Sequence, residues 1–176
     1  MKKILLGLLV IVLCACTLNI AGDPKDKVKE FLDMYKNQDS SVISDLEDII
    51  SSEYKEENKE RYKNLMINQY KDMEYDITDE IIEDDEAIVT VDIKVYDYSK
   101  AIEYSNNYLV NHKEEFLKDD EIDQEKYTKY KLDELEKVSD KKTYTINFIL
   151  NKKDNEWVVS PLSNSDIEKI HGLYIE

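Results

Sequence analysis

Apolar positions behind Asp23 follow a helical period first and a strand period later. Val28, Phe31, Leu32 and Tyr35 recur at helical spacing after Asp23-Pro24, a pair suited to an N-cap and a first helical residue. This helix is expected to end near Asn37. A second is expected from Ser40 or Ser41, with Val42, Leu46, Ile49 and Ile50 on one face. A third is expected over 56–72, with Tyr62, Leu65, Met66, Gln69, Tyr70 and Met73 as its buried stripe. Period two then takes over. Tyr75, Ile77 and Ile81 predict a strand, and Glu83-Asp84-Asp85-Glu86 a charged turn. Residues 87–98 alternate throughout, with Val89, Val91, Ile93 and Val95 opposite Thr90, Asp92 and Lys94. A polar second face predicts an antiparallel sheet covered on one side.

The alternation returns late. Tyr144, Ile146, Phe148 and Leu150 predict a strand, 152–155 a turn, and Trp157 and Val159 a returning strand that stops at Pro161. Ser165 to Glu168 reads as a capping box for a last short helix, with Gly172 as its stop. Between the hairpins lies an insertion, residues 99–141, far longer than an ordinary hairpin loop of about 2–5 residues. Ile102, Leu109 and Phe116 recur every seventh position, which predicts a helix; 118–121 should break it, and Asp123 should cap a second one. Because both flanking hairpins alternate without it, the insertion is either a peripheral module or part of the core, with Ile102, Leu109 and Phe116 covering the sheet face. The expected class is α+β: N-terminal helices on an antiparallel sheet, with a helical insertion between two hairpins.

Composition narrows the chemistry. The formal charge is −16, and loss of the two signal lysines takes it to −18. A nucleic-acid partner is not expected, since phosphate binding needs a basic face. The three glycines are Gly7, Gly22 and Gly172. Phosphate-cradling loops, dinucleotide fingerprints and nucleophile elbows all need glycine where this chain has none. The two histidines, His112 and His171, give no metal or triad spacing. No catalytic residue, metal ligand or cofactor is assigned.

The two cysteines, Cys14 and Cys16, both lie in the first sixteen residues, MKKILLGLLVIVLCAC. Two lysines, a short apolar run and a small residue before a cut site describe an export signal. The run falls short of the roughly 20 apolar residues a spanning helix needs. A plain signal peptide or an uncleaved anchor fits this pattern as well. The ending Leu13-Cys14-Ala15-Cys16 resembles the lipobox of bacterial lipoproteins. That resemblance implies cleavage after Ala15, a signal peptide over 1–15, acylation of Cys16, and a tether over 16–22 that reaches at most about 20 Å beyond the bilayer surface. The implied location is the extracytoplasmic face of the cell membrane. Abundant Lys, Asn, Ile and Tyr, with Arg61 the one arginine, lean toward a low-GC Gram-positive source.

The element order, with VTVDIKVYDYSKAI (89–102), YTINFILNKKDNEWVV (144–159) and DIEKIHGLY (166–174), is similar to the nuclear transport factor 2-like fold, a cone-shaped α+β domain. It looks like the small Gram-positive lipoproteins of unknown function that carry this fold. The resemblance implies a single domain over 23–176, a curved sheet with helices on its concave face, and sometimes a pocket. Enzymatic members carry an Asp-His or Tyr-Asp arrangement there; no position of this chain matches it, and the long insertion departs from the simplest members.

Other candidates sit beside plainer readings. Asp119, Glu121 and Asp123 alternate like an EF-hand start, but Gln124 replaces the turn glycine and Tyr130 the bidentate Glu. The acids 83–86 read as an exposed tip. Tyr96, Tyr98, Tyr104, Tyr108, Tyr127 and Tyr130 gather around the insertion, either as an interface or as a mini-core between its helices. The expected function is a non-enzymatic binding or accessory module for an envelope protein or peptide, held to the bilayer through Cys16. The alternatives are a small-molecule binder or enzyme using a pocket in the cone, and a passive spacer.

Overall fold

A computed structural model describes residues 22–53 and 55–176, so the signal and Cys16 lie outside the described residues. The domain is mixed α+β, with six α-helices and an antiparallel four-stranded sheet. Three helices come first: α1 (Pro24–Lys36), α2 (Ser40–Glu53) and α3 (Glu56–Lys71). Asp23 caps α1 as the sequence predicts, accepting from the Lys25 N–H at 2.9 Å. The strands β1 (Glu74–Glu83) and β2 (Glu86–Tyr96) form the first hairpin. The insertion follows as α4 (Tyr98–Asn111), a 3-10 turn (Lys113–Phe116), a two-residue hairpin of β3 (Leu117–Lys118) and β4 (Glu121–Ile122), and α5 (Gln124–Leu135). Then come β5 (Lys141–Lys153), β6 (Glu156–Val159) and α6 (Asn164–His171).

The sheet order is β1-β2-β5-β6. β2 and β5 pair without a slip from Glu86↔Asn151 to Tyr96↔Lys141, so the insertion bridges the ends of the two inner strands. Their inward residues bury completely: Val89, Val91, Ile93, Phe148 and Leu150 meet Val28 and Leu32 of α1 and Ile170 of α6. This is the first core.

Several expectations need correction. The first strand does not hold one face. A register shift between Ile77 and Asp79 inserts an extra residue, so Tyr75 and Ile77 face the helices but Ile81, paired with Ile88, faces out. The same shift turns Glu80 toward α1, where one carboxylate oxygen meets Lys25 at 3.1 Å and the other is buried without a partner. β2 ends at Tyr96 instead of Tyr98, because Asp97 turns the chain and takes Ser99 Oγ (2.5 Å) and Lys100 Nζ (3.0 Å). Burial pushes the Asp97 carboxyl up, but these two donors outweigh it and leave it below its ordinary range. The last helix is capped by Ser163, not Ser165: Ser163 Oγ accepts from the Asp166 N–H at 3.2 Å. Ile49 of the expected α2 face is 43% exposed.

Of the two places open to the insertion, the structure gives it the core. It is not peripheral. Tyr98, Leu132 and Leu135 pack on Leu46, Leu65 and Met66 and form a second core with α2 and α3. Arg61 of α3 adds a clamp, reaching Asp133 at 2.7 Å and Glu136 at 2.8 Å on and just beyond α5. The hydrogen bonds that the guanidinium donates to these carboxylates favour its charged form. Ile102, Leu109 and Phe116 do not cover the sheet.

Candidate functional site

Two places bring functional groups together. The first is a cavity of 220 Å³ between α1, α2, α3 and α6, with Val42, Leu46 and Ile167 as walls and Asp45 at its rim. Helical spacing places Tyr35 on α1 and Tyr70 on α3, and their rings meet edge to face at 5.2 Å. Tyr70 is buried, so its hydroxyl needs a partner; His171 Nε2, from the last turn of α6, supplies one at 3.1 Å. Burial pushes the Tyr70 phenol up and the His171 imidazole down to about 4. The imidazole is therefore neutral near pH 7 and a weak base, which does not suit acid–base work at that pH. The cavity is also smaller than the ~300–1,000 Å³ of ordinary ligand pockets. The sequence offers His171 as a helix-end residue; its pairing with Tyr70, a hundred and one positions away, has no local signature.

The second place is the sheet face away from the helices. Most of it is polar, as the alternation predicts: Asp76 stands beside Asp92, Thr145 Oγ1 donates to Asp92 at 2.6 Å, and Thr90 Oγ1 to Asn147 at 3.0 Å. Near the hairpin tips it is not. Ile81 pairs with Ile88 and Ile88 with Ile149, in one row across β1, β2 and β5. Val158 of β6 sits diagonally beyond, across from Asn151. These four are 50%, 39%, 52% and 49% exposed. Sequence reasoning missed this row because strict alternation puts Ile81 on the same side as Tyr75 and Ile77, and the shift between Ile77 and Asp79 reverses it.

The remaining candidates resolve into structure. Asp119 and Asp120 adopt positive φ and make the tight turn between β3 and β4, and Asp123 caps α5 by accepting from Glu125 and Lys126. These carboxylates do not converge, and no group of three or more potential metal ligands forms among the described residues. The acids 83–86 form the exposed β1–β2 tip, with Asp84 at positive φ. Of the tyrosines, Tyr108, Tyr127 and Tyr130 enclose Phe116, with Tyr108 and Tyr130 stacked at 4.8 Å; this is the mini-core reading. His112 stacks on Tyr108 at 4.0 Å, outside any site. Tyr98 belongs to the second core, Tyr96 donates its hydroxyl to Asp72 at 2.7 Å, and Tyr104 is left exposed.

No helix among the described residues is long and apolar enough to cross a membrane. No model of a known protein family matches the chain, and a search of curated proteins gives no match. Among solved structures, the chain is similar to ycdA, a candidate lipoprotein of Bacillus subtilis, at 16% identity and a TM-score of 0.35. The likeness covers 88% of this chain and 48% of that protein, so this chain spans about half its length.

Proposed function

We propose that this chain is an extracytoplasmic lipoprotein, exported by residues 1–15 and held to the bilayer through an acylated Cys16. Its domain, of nuclear transport factor 2-like type, serves as a non-enzymatic binding or accessory module for an envelope protein or peptide. Neither nucleic acid nor a cofactor enters this reading. The observation that carries the binding role is the aliphatic row Ile81-Ile88-Ile149 with Val158, set on an otherwise polar sheet face. Uncovered apolar rows of this kind mark interaction surfaces. The domain core does not need these side chains outside, since both clusters of buried residues lie on the helix side.

A photoreactive amino acid at Ile149 in growing cells tests the reading. Capture of one envelope protein from Ile149, and none from exposed Glu60 on α3, supports it. Equal capture from both positions, or none from Ile149, removes it. The cavity beside Tyr35, Tyr70 and His171 supports a second reading, a site for a small neutral ligand, because three polar rings converge on an apolar hollow. An Ile49→Trp chain that keeps Ile149 capture but loses a co-purifying small molecule would favour it.

A further inference from the structure

We infer that the open sheet face docks a basic amphipathic helix of a neighbouring protein, lying across the strands close to the membrane. This rests on the lipoprotein and binding reading above and adds the chemistry and geometry of the partner. The row Ile81-Ile88-Ile149 runs across three hydrogen-bonded strands. Neighbouring strands are about 4.8 Å apart. One face of an α-helix offers a side chain every three or four residues, or about every 5–6 Å. An apolar helix stripe laid at right angles to the strands therefore meets each isoleucine in turn, and Val158 extends the row at β6.

The charges on either side select the partner. Along each strand, residues two apart on this face are about 7 Å from one another. On one side of the row stand Glu83 and Glu86, paired with each other at the tip. On the other stand Asp79 and then Asp76 beside Asp92. Nearby cations are already engaged: Lys25 with Glu80, and Lys94 and Lys141 with Glu74. Among the described residues, Asp76, Asp79, Glu83 and Glu86 are left without an ion pair. Lys153, opposite Glu156, is the basic residue at the β5–β6 corner of the face. A helix about 10 Å wide places its flanking side chains over both acidic borders. Lysine or arginine there neutralises them; an anionic lipid surface or a second copy of this face brings like charges together.

The tether sets the location. Gly22, Asp23 and Pro24 line the same hollow as Asp84, Lys152 and Trp157, so the chain enters the domain at the tip end of the sheet. With residues 16–22 reaching at most about 20 Å, the isoleucine row stays near the bilayer.

The probe is a 14-residue Leu/Lys helix with leucines on one face and one photoreactive leucine. Its control has the same composition, scrambled so that no apolar face forms. Both are added to the full chain in zwitterionic-lipid nanodiscs, and crosslinks are mapped by mass spectrometry. The expected result is crosslinks concentrated on Ile81, Ile88, Ile149 and Val158, about tenfold above the scrambled peptide. Ile149→Asp should lower the yield about tenfold, and Glu83→Gln with Glu86→Gln should lower it and flatten its salt dependence. Both sites are exposed, and circular dichroism verifies that each variant is folded. Crosslinks scattered over the acidic surface, equal yield from the scrambled peptide, or a row already covered by lipid or a second copy overturns the inference. If Ile149 still captures an envelope protein in cells while the helical peptide fails here, the binding reading stands and the helix inference falls.

Discussion

Gly172→Ala should be among the most damaging single-methyl additions to this domain. α6 ends in a left-handed Gly172, φ 70°, whose N–H reaches the Lys169 carbonyl at 3.0 Å while the Leu173 N–H reaches Glu168 at 2.9 Å. This is a Schellman stop. A Cβ here would lie 2.0 Å from the Tyr96 carbonyl oxygen and 2.5 Å from Gln69 Nε2. Neither neighbour can yield cheaply. Gln69 is 0% exposed and acts as a substitute strand: its Oε1 accepts from the Tyr96 N–H at 2.9 Å and its Nε2 donates to the Tyr96 carbonyl at 3.3 Å. Holding alanine in the left-handed region costs about 1–2 kcal/mol. Overpacking adds about 1–3 kcal/mol, and disturbing the buried amide pair a further ~1 kcal/mol. The sum, about 3–6 kcal/mol, is a large part of the stability of an ordinary domain. Urea unfolding followed through the fluorescence of buried Trp157, the chain's one tryptophan, measures it. A loss below about 1 kcal/mol would refute the claim that α3, β2 and α6 meet at this point.

Acid should weaken the domain through His171. The unfolded imidazole binds its proton near its ordinary 6.5, whereas the folded one, beside Tyr35 and Tyr70 with Asp45 at the rim, waits until about 4. Stability is therefore full above pH 6.5 and falls between 6.5 and 4, by at most about 3 kcal/mol. Urea midpoints against pH should show this slope in the native chain and lose it in His171→Gln; an unchanged slope contradicts the assignment. Replacing residues 97–140 by a short turn should abolish cooperative thermal unfolding, because it uncovers the α2–α3 face that Leu132 and Leu135 bury. A sharp calorimetric transition in the shortened chain would show that the second core is dispensable.

Local chemistry was legible in the sequence, and tertiary placement less so. Asp23, Asp123 and Gly172 act at the helix ends where their residue types predict. The complete alternation of β2 and β5 gave their inward faces correctly, because one face of each is wholly buried. The slip between Ile77 and Asp79 escaped notice, since a single extra residue leaves no compositional mark while reversing every later side chain. That slip moves Ile81 outward and completes the aliphatic row. Periodicity also showed that the inserted helices are amphipathic without showing what they face. Only the fold brings Leu132, Leu135 and Arg61 to the α2–α3 layer.

The proposed acylation of Cys16 carries the account, since it would set both the compartment and the distance of the sheet face from the bilayer. The direct test is Cys16→Ser in the producing cell, with fractionation and mass measurement of the N-terminus. The account predicts that the native chain starts at Cys16, carries diacylglycerol and stays with membranes. The variant should remain unprocessed or leave the membrane fraction, because stable attachment takes two acyl chains. A variant cut after Ala15 and still membrane-bound like the native chain would contradict the lipid anchor.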